Sequence, residues 1–375
     1  MAAKGTGIVW DSRFLDHDTG LAMSSVTVPA DSVWEPQPHA ASPQLVARAH
    51  RLLGRTGVLA HLTEIAPRQA TVAEIERVHT PEHVRHVRDV SLAGGGEAGE
   101  FAPASPATYE VARLAAGGAL AAVDAVMTGT LRNVYALLRP PGHHATPDRA
   151  MGFCYFNNVA VAARHAQDAH GAQRVAIVDW DVHHGNGTQA AFWTDPSVLF
   201  VSLHQDDWYP TGSGKVGDVG AGAGAGFTVN VPLPAGTGNA GYLAAFDRVV
   251  APAVRRHRPD LILVSAGQDP SGVDPLGRMA VSANGFRLLG ERVAALADEV
   301  CDGRLVACHE GGYSPSYAPV CTWAAVEGLS GIRTDFEDPY EGWLGGIQEA
   351  SDPGPAGAAV DAVLMADGWQ LAAGG

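Results

Sequence analysis

The chain has 375 residues, 46% of them hydrophobic and 17% charged, and a formal net charge of −15 at pH 7. That is enough chain to bury one large α/β core or two smaller ones, and the composition excludes disorder as the expectation. An acidic surface also excludes direct nucleic-acid binding as the default, because such proteins use basic patches to displace phosphate counterions; cationic partners suit it better.

In chain order, Gly-, Pro- and Asp-rich residues 13–43 read as a long loop. A helix follows over Pro106–Met127, with Ser105 as its N-cap and Pro106 at the first helical position. The strand Val134–Leu138 leads into a loop over 139–156, then a helix over Asn157–His170, then strands Arg174–Trp180 and Val198–Leu203. A loop over 204–226 ends in GAGAGAG, residues 220–226, which reads as a surface turn rather than a lid. Helix Gly241–Arg256, strand Leu261–Ser265, helix Ala283–Val300 and strand Arg304–Cys308 complete the alternation, and residues 351–375 suggest a loosely packed terminal helix. β-branched runs alternating with Ala-rich helical patterns predict an α/β fold: a single domain over residues 1–375 with an open, mostly parallel sheet flanked by helices.

The opening MAAKGTGIVWDSRF has no apolar signal-like region, and no run approaches ~18 apolar residues, so neither a secretory signal nor a membrane span is expected. Cys154, Cys301, Cys308 and Cys321 show no C-x-x-C spacing and read as reduced thiols. The expected location is cytoplasmic.

In an open parallel sheet, ligands sit beyond the C-terminal ends of the strands. The segments leaving the five predicted strands are RPPGHHA, DVHHGNG, HQDDWYP, AGQDP and HEGGYS. Each carries His, Asp, Glu or Tyr, so one site built from several loops is the economical reading. Asp181 and His183, two apart as a strand ends, can face one side and share a divalent ion such as zinc. Asp269, leaving another strand, is the leading third ligand. Alone, an Asp-x-His pair is more often a capped turn. Because two Asp ligands weaken a metal's acidification of water, such a site benefits from a separate base, and His143 and His144 are placed to supply one. Asp179 and Asn186 are available to hydrogen-bond the outer nitrogens of these two rings. Tyr313, after two glycines, can donate to a forming oxyanion, although alone it reads equally as a packed side chain.

Taken together, RPPGHHA, GFCYFNN, VDWDVHHGNGTQ, VSLHQDDWYPTGSG, SAGQD with DPLGRM, and EGGYSPSY resemble the zinc-dependent histone deacetylase family, most closely its bacterial class II-like amidohydrolases. The resemblance spans roughly residues 139–317 and implies an arginase/deacetylase-like fold. It implies one Zn²⁺ on Asp181, His183 and Asp269, His144 as general base, His143 as its electrostatic partner or general acid, Asp179 and Asn186 orienting the two rings, and Tyr313 on the oxyanion. It further implies a narrow tunnel walled by Phe153 and Tyr209, with the Gly152 carbonyl accepting the substrate amide N–H. Structural potassium would bind main-chain oxygens near Asp179, Asp181, His183, Ser202 and Leu203, with a second site at Phe192, Asp195 and Val198. Tyr209 stands where relatives often have Phe, and the rim carboxylate that grips peptide has no unambiguous equivalent, Glu100 being close.

The implied reaction is hydrolysis of an N-acyl amide, chiefly ε-acetyl-lysine, releasing acetate. An acetylpolyamine hydrolase is the first rival, and homo-oligomers are compatible with either. A two-manganese arginase-type centre lacks the extra bridging carboxylates in AGQDP. A non-catalytic acyl binder would not need His143, His144 and Tyr313 together.

Overall fold

The structure, a computed structural model, describes residues 5–29, 31–350, 353–366 and 369. Its centre is an eight-stranded sheet made of β1 (Thr6–Val9), β2 (Thr63–Ile65), β3 (Asn133–Ala136), β4 (Val175–Asp179), β5 (Val198–Gln205), β6 (Thr228–Leu233), β7 (Leu261–Ala266) and β8 (Leu305–His309). The spatial order is β6–β5–β4–β7–β8–β3–β1–β2, and every neighbouring pair is parallel.

Strands buried on both faces need apolar residues at every position, which is why they read as continuous runs such as Val175–Val178. The pleat then divides each run between two cores. Ala176, Val178, Ile262, Val264, Leu199 and Val201 join one core, while Val175, Ile177, Leu261, Leu263, Val198 and Phe200 join the other. Helices α1 (Gln44–Arg55), α4 (Ala283–Cys301) and α5 (Ala318–Ser330) cover the first face; α2 (Thr108–Met127) and α3 (Asn158–His170) cover the second. At the start of α3, Asn157 accepts from the amide of Ala160 at 3.0 Å, and Gly171 ends the helix at φ +70°.

Three predicted boundaries change. Ser105 is not an N-cap: its hydroxyl accepts from the amide of Asp18, its own amide donates to the Thr108 hydroxyl, and α2 begins at Thr108. The stretch predicted as one helix over Gly241–Arg256 is Asn239–Ala245, a wide π turn at Phe246–Val250, and Ala251–His257. Pro252 has no N–H to give the preceding turn, and the helix widens just before it. The terminal helix spans Gly354–Met365; positions 351, 352, 367, 368 and 370–375 lie outside the described residues. GAGAGAG forms a short turn fastened to the start of the loop before β5, where Ala221 donates to the carbonyl of Trp193 at 2.9 Å.

Several histidines are buried in neutral form, and His79 is the best defined. Its Nδ1–H donates to the Thr146 carbonyl at 2.9 Å and its Nε2 accepts from the Asn157 amide at 2.8 Å, so both nitrogens are used by the uncharged ring. Burial, with His83 nearby, pushes its pKa down to about 3. In the unfolded chain it titrates near 6.5, so between those limits the unfolded state binds the extra proton and stability falls as pH falls. The contribution declines by about 1.4 kcal/mol per pH unit below ~6.5. Urea unfolding at pH 7 and pH 5 is expected to show a smaller acid loss in His79→Gln than in wild type; equal losses would contradict this assignment.

Candidate active site

The polar layer begins at one level of the sheet. Asp179 at the end of β4 is in register with Ser202 on β5 and Ser265 on β7, and Ala266 is in register with His309 on β8. Beyond that level the chain turns sharply, and Asp179, Asp181, Asp269 and Glu310 are all buried. Carboxylates removed from water need partners, and most of those found here are main-chain amides and imidazoles.

Asp181 accepts through Oδ1 from the His183 amide at 2.9 Å and through Oδ2 from the Gly311 amide at 2.9 Å. Asp269 accepts through Oδ1 from the Val182 amide at 2.9 Å. His183 turns Nδ1 toward both acids, 3.0 Å from Asp181 Oδ1 and 3.1 Å from Asp269 Oδ2. Yet Asp269 Oδ2 is buried and makes no hydrogen bond among the described residues. Burial and the charge of Asp181 push Asp269 up to about 8. Against the effect of burial, Asp181 and Asp269 hold His183 up to about 10. Both shifts express one excess of negative charge. One ligand atom from each of Asp181, His183 and Asp269 lies within 4.8 Å of the others, a set that suits a divalent cation on one imidazole nitrogen and two carboxylate oxygens. A side chain at position 311 would collide with Asp269 and Asp181, so only glycine lets the backbone pass this close.

The structure also brings the paired histidines to this centre. His143 Nδ1 lies 3.0 Å from Asp179 Oδ2, and its Nε2 lies 3.7 Å from Asp181 Oδ1. His144 Nδ1 lies 2.8 Å from Asn186 Oδ1, while Asn186 Nδ2 donates to the His144 carbonyl at 3.4 Å. That amide orientation puts the His144 proton on Nδ1 and leaves Nε2 with a lone pair. Burial lowers the charged form of both rings, but Asp181 and Asp179 outweigh it at His143 and raise its pKa to about 10. At His144 burial, then the neighbouring His143 and His183, outweigh the charge of Asp181 and lower the pKa well below its usual range. Two adjacent imidazoles, with ring centroids 4.0 Å apart, are therefore pushed in opposite directions.

Tyr313 is buried, with its ring 6.3 Å from that of His183 and 5.5 Å from that of Phe153. These rings, His144, Gly152 and Tyr209 help line one cavity of about 330 Å³. Gly152 has φ +56°, and a Cβ there would strike the His144 ring. Its amide donates to the Glu100 carbonyl at 2.9 Å, which ties Glu100 and Phe101 to the cavity wall while leaving the Glu100 side chain exposed. The Tyr209 hydroxyl is buried without a hydrogen-bond partner among the described residues. Of the positions associated with potassium, Asp179 and Ser202 are register partners beside Asp181, His183 and Leu203. Phe192, Asp195 and Val198 share the turn before β5, where the Asp195 carboxylate binds Arg164 at 2.6 Å and the Ser197 amide at 2.8 Å.

A model of the histone deacetylase domain matches residues 39–329, and a histone deacetylase-like amidohydrolase of Pseudomonas aeruginosa is 44% identical over 91% of this chain and 90% of that protein. The chain belongs to the histone deacetylase family. Another member, the polyamine deacetylase HDAC10 of Homo sapiens, is 38% identical over 85% of this chain and 48% of that protein. The crystal structure of the HDA15 HD domain superposes with a TM-score of 0.82 at 35% identity, covering 96% of this chain and 95% of that one. The eight-stranded parallel sheet is thus the histone deacetylase fold.

Two acids of this deacetylase site escaped the sequence reading, although both stand inside the quoted motifs. Glu310 accepts from the amides of Gly142 at 2.6 Å and His143 at 3.1 Å, fixing the histidine loop. Asp274 accepts from the amides of Tyr313 at 2.6 Å and Ser314 at 3.2 Å, fixing the tyrosine. Asp274→Ala leaves those two buried donors without their acceptor. It is expected to lower stability by about 1–3 kcal/mol and to reduce turnover by displacing Tyr313; thermal unfolding and steady-state kinetics test this, and wild-type turnover in a folded variant would contradict it.

Proposed function

We propose that the chain is a zinc-dependent amidohydrolase that removes the acetyl group from an ε-acetyl-lysine side chain and releases acetate. The observation that carries this reading is the buried oxygen of Asp269, without a hydrogen-bond partner among the described residues, beside Asp181 and His183 and next to the paired rings of His143 and His144. One zinc ion on Asp181, His183 and Asp269 would supply the Lewis acid that polarises the substrate carbonyl and acidifies water.

The chain's own groups divide the remaining work. His144 takes a proton from the attacking water at Nε2, and Asn186 holds its Nδ1–H so that the lone pair faces the cavity. The Tyr313 phenol donates to the oxyanion as the carbonyl carbon becomes tetrahedral. His143, kept cationic beside Asp179, stabilises that charge, and His144 hands the proton it took from water to the leaving amine as the C–N bond breaks. Phe153 and Tyr209 flank the alkyl chain and the Gly152 carbonyl accepts the substrate amide N–H. We extend the proposal to structural potassium on main-chain oxygens near Asp179, Asp181, His183, Ser202 and Leu203, and a second potassium ion at Phe192, Asp195 and Val198.

Arg278 and the apolar Leu276 also line the cavity, and a guanidinium there opposes the extra ammonium groups of an acetylpolyamine. This favours lysine over polyamine substrates. No described helix is long and apolar enough to cross a membrane, and the four cysteines are free and buried; we place the enzyme, as one catalytic domain, in the cytoplasm. Tyr313→Phe is expected to lower kcat by ~10²–10³-fold with little change in KM, and undiminished turnover would remove Tyr313 from the mechanism. With the wild type, kcat/KM on an acetyl-lysine peptide should exceed that on acetylputrescine; the reverse order would transfer the assignment to polyamines.

A further inference from the structure

The C-terminal ends of α2 and α3 lie at the opposite edge of the sheet from the catalytic cavity. His170 ends α3 five positions before β4 begins, whereas Asp181 follows the far end of the same strand. At this remote edge Asp124 of α2 faces His165 and His170 of α3. Its Oδ1 lies 2.6 Å from His165 Nε2 and 2.7 Å from His170 Nε2, and the two rings stand nearly perpendicular at 83°. We propose that Asp124, His165 and His170 form a second, non-catalytic site for a zinc-like divalent ion that clamps α2 to α3.

Two imidazole nitrogens and one carboxylate oxygen are a suitable donor set for such an ion. The decisive observation concerns the other side of the His165 ring. If the cluster is only hydrogen-bonded, each ring must carry its proton on Nε2 to reach the shared oxygen of Asp124. In the neutral ring His165 Nδ1 is then a lone pair, and in either protonation state this nitrogen, in a side chain only 7% exposed, has no hydrogen-bond partner among the described residues. An ion on Nε2 reverses the tautomer and puts the proton on Nδ1, which faces Glu74 Oε1 at 4.0 Å. A closure of that gap by about 1 Å, to hydrogen-bond length, would complete the carboxylate–histidine–metal chain found around many bound metals. Glu74 is suited to that part because its hydrogen bond to Arg68 keeps its pKa down at about 2, so it stays charged.

The surroundings agree. Asp124 sits in the last turn of α2 and His170 in the last turn of α3, where the helix dipoles present their negative ends to a cation. Asp124 is 42% exposed and His170 17%, which gives an ion a path of entry and leaves positions for water. Seating an ion about 2.0–2.2 Å from each donor requires the three atoms to open by roughly 0.5–1 Å.

Protein stripped with a chelator, equilibrated with micromolar Zn²⁺ and freed of excess metal is analysed for bound zinc. Asp124→Asn and His170→Ala are each expected to hold one ion fewer per chain than wild type while keeping wild-type deacetylase turnover. Because the comparison is a difference, it reads this site whether or not the catalytic centre fills. A second readout is the rise of a few degrees in thermal midpoint on adding Zn²⁺ to wild type, part of which both variants should lose. Asp124→Asn preserves the side-chain shape and guards against misfolding of the other variant. Equal zinc content in wild type and a folded Asp124→Asn protein overturns the proposal.

Discussion

Two carboxylates shut away from water beside one imidazole govern this molecule. Asp181 and Asp269 have no exposed surface, and His183, the ring that touches both among the described residues, can neutralise one of the two charges and not both. The other buried acids of the site have local partners: Asp179 has His143, Glu310 two loop amides, and Asp274 the amides of Tyr313 and Ser314. A divalent ion with a neutral His183 brings the central group to zero net charge. Without the ion, neutrality takes a proton on Asp269, the direction in which burial and Asp181 push it, and its Oδ2 still has no hydrogen-bond partner among the described residues, at a cost on the order of a few kcal/mol in a dry site.

The sheet makes that concentration of charge affordable. Its strands are buried on both faces and locked between two cores, so their ends are stiff, and each ligand leaves a different strand at a common level. Precision then comes from the backbone. Gly311 and Gly152 let main chain pass against Asp181, Asp269 and the His144 ring at distances that no side chain tolerates. Asp274 and Glu310 act as anchors for the loops that carry Tyr313 and His143. The site is thus held largely by amide donors on acid acceptors, an arrangement that keeps its groups in place before any substrate enters.

What was legible in the sequence follows from the same physics. β4, β5 and β7 are long apolar runs that nothing else explains, whereas β1 is interrupted by Gly7, β2 is a three-residue edge strand, and β6 carries Asn230 and Pro232, so none of these three advertises itself. The helix α5 is buried on nearly every side and lacks the periodic stripe that marks a surface helix. Asp181, His183, His143 and His144 stood out because side-chain chemistry recurs within a turn, and Asp269 because it leaves a strand at the same edge. Asp274 and Glu310 did not, since they bind main-chain amides from other segments, and no spacing between side chains encodes such a partner. The Asp124 cluster was equally silent, its members lying on two helices that only the folded chain brings together.

Anomalous diffraction is the most direct measurement of the central claim. Crystals of the enzyme grown with zinc, measured on both sides of the zinc absorption edge, should show a peak bounded by Asp181, His183 Nδ1 and Asp269 at about 2.0–2.2 Å from each ligand atom. A map with no peak there, and with the free oxygen of Asp269 bonded instead to a protein donor, would contradict the account.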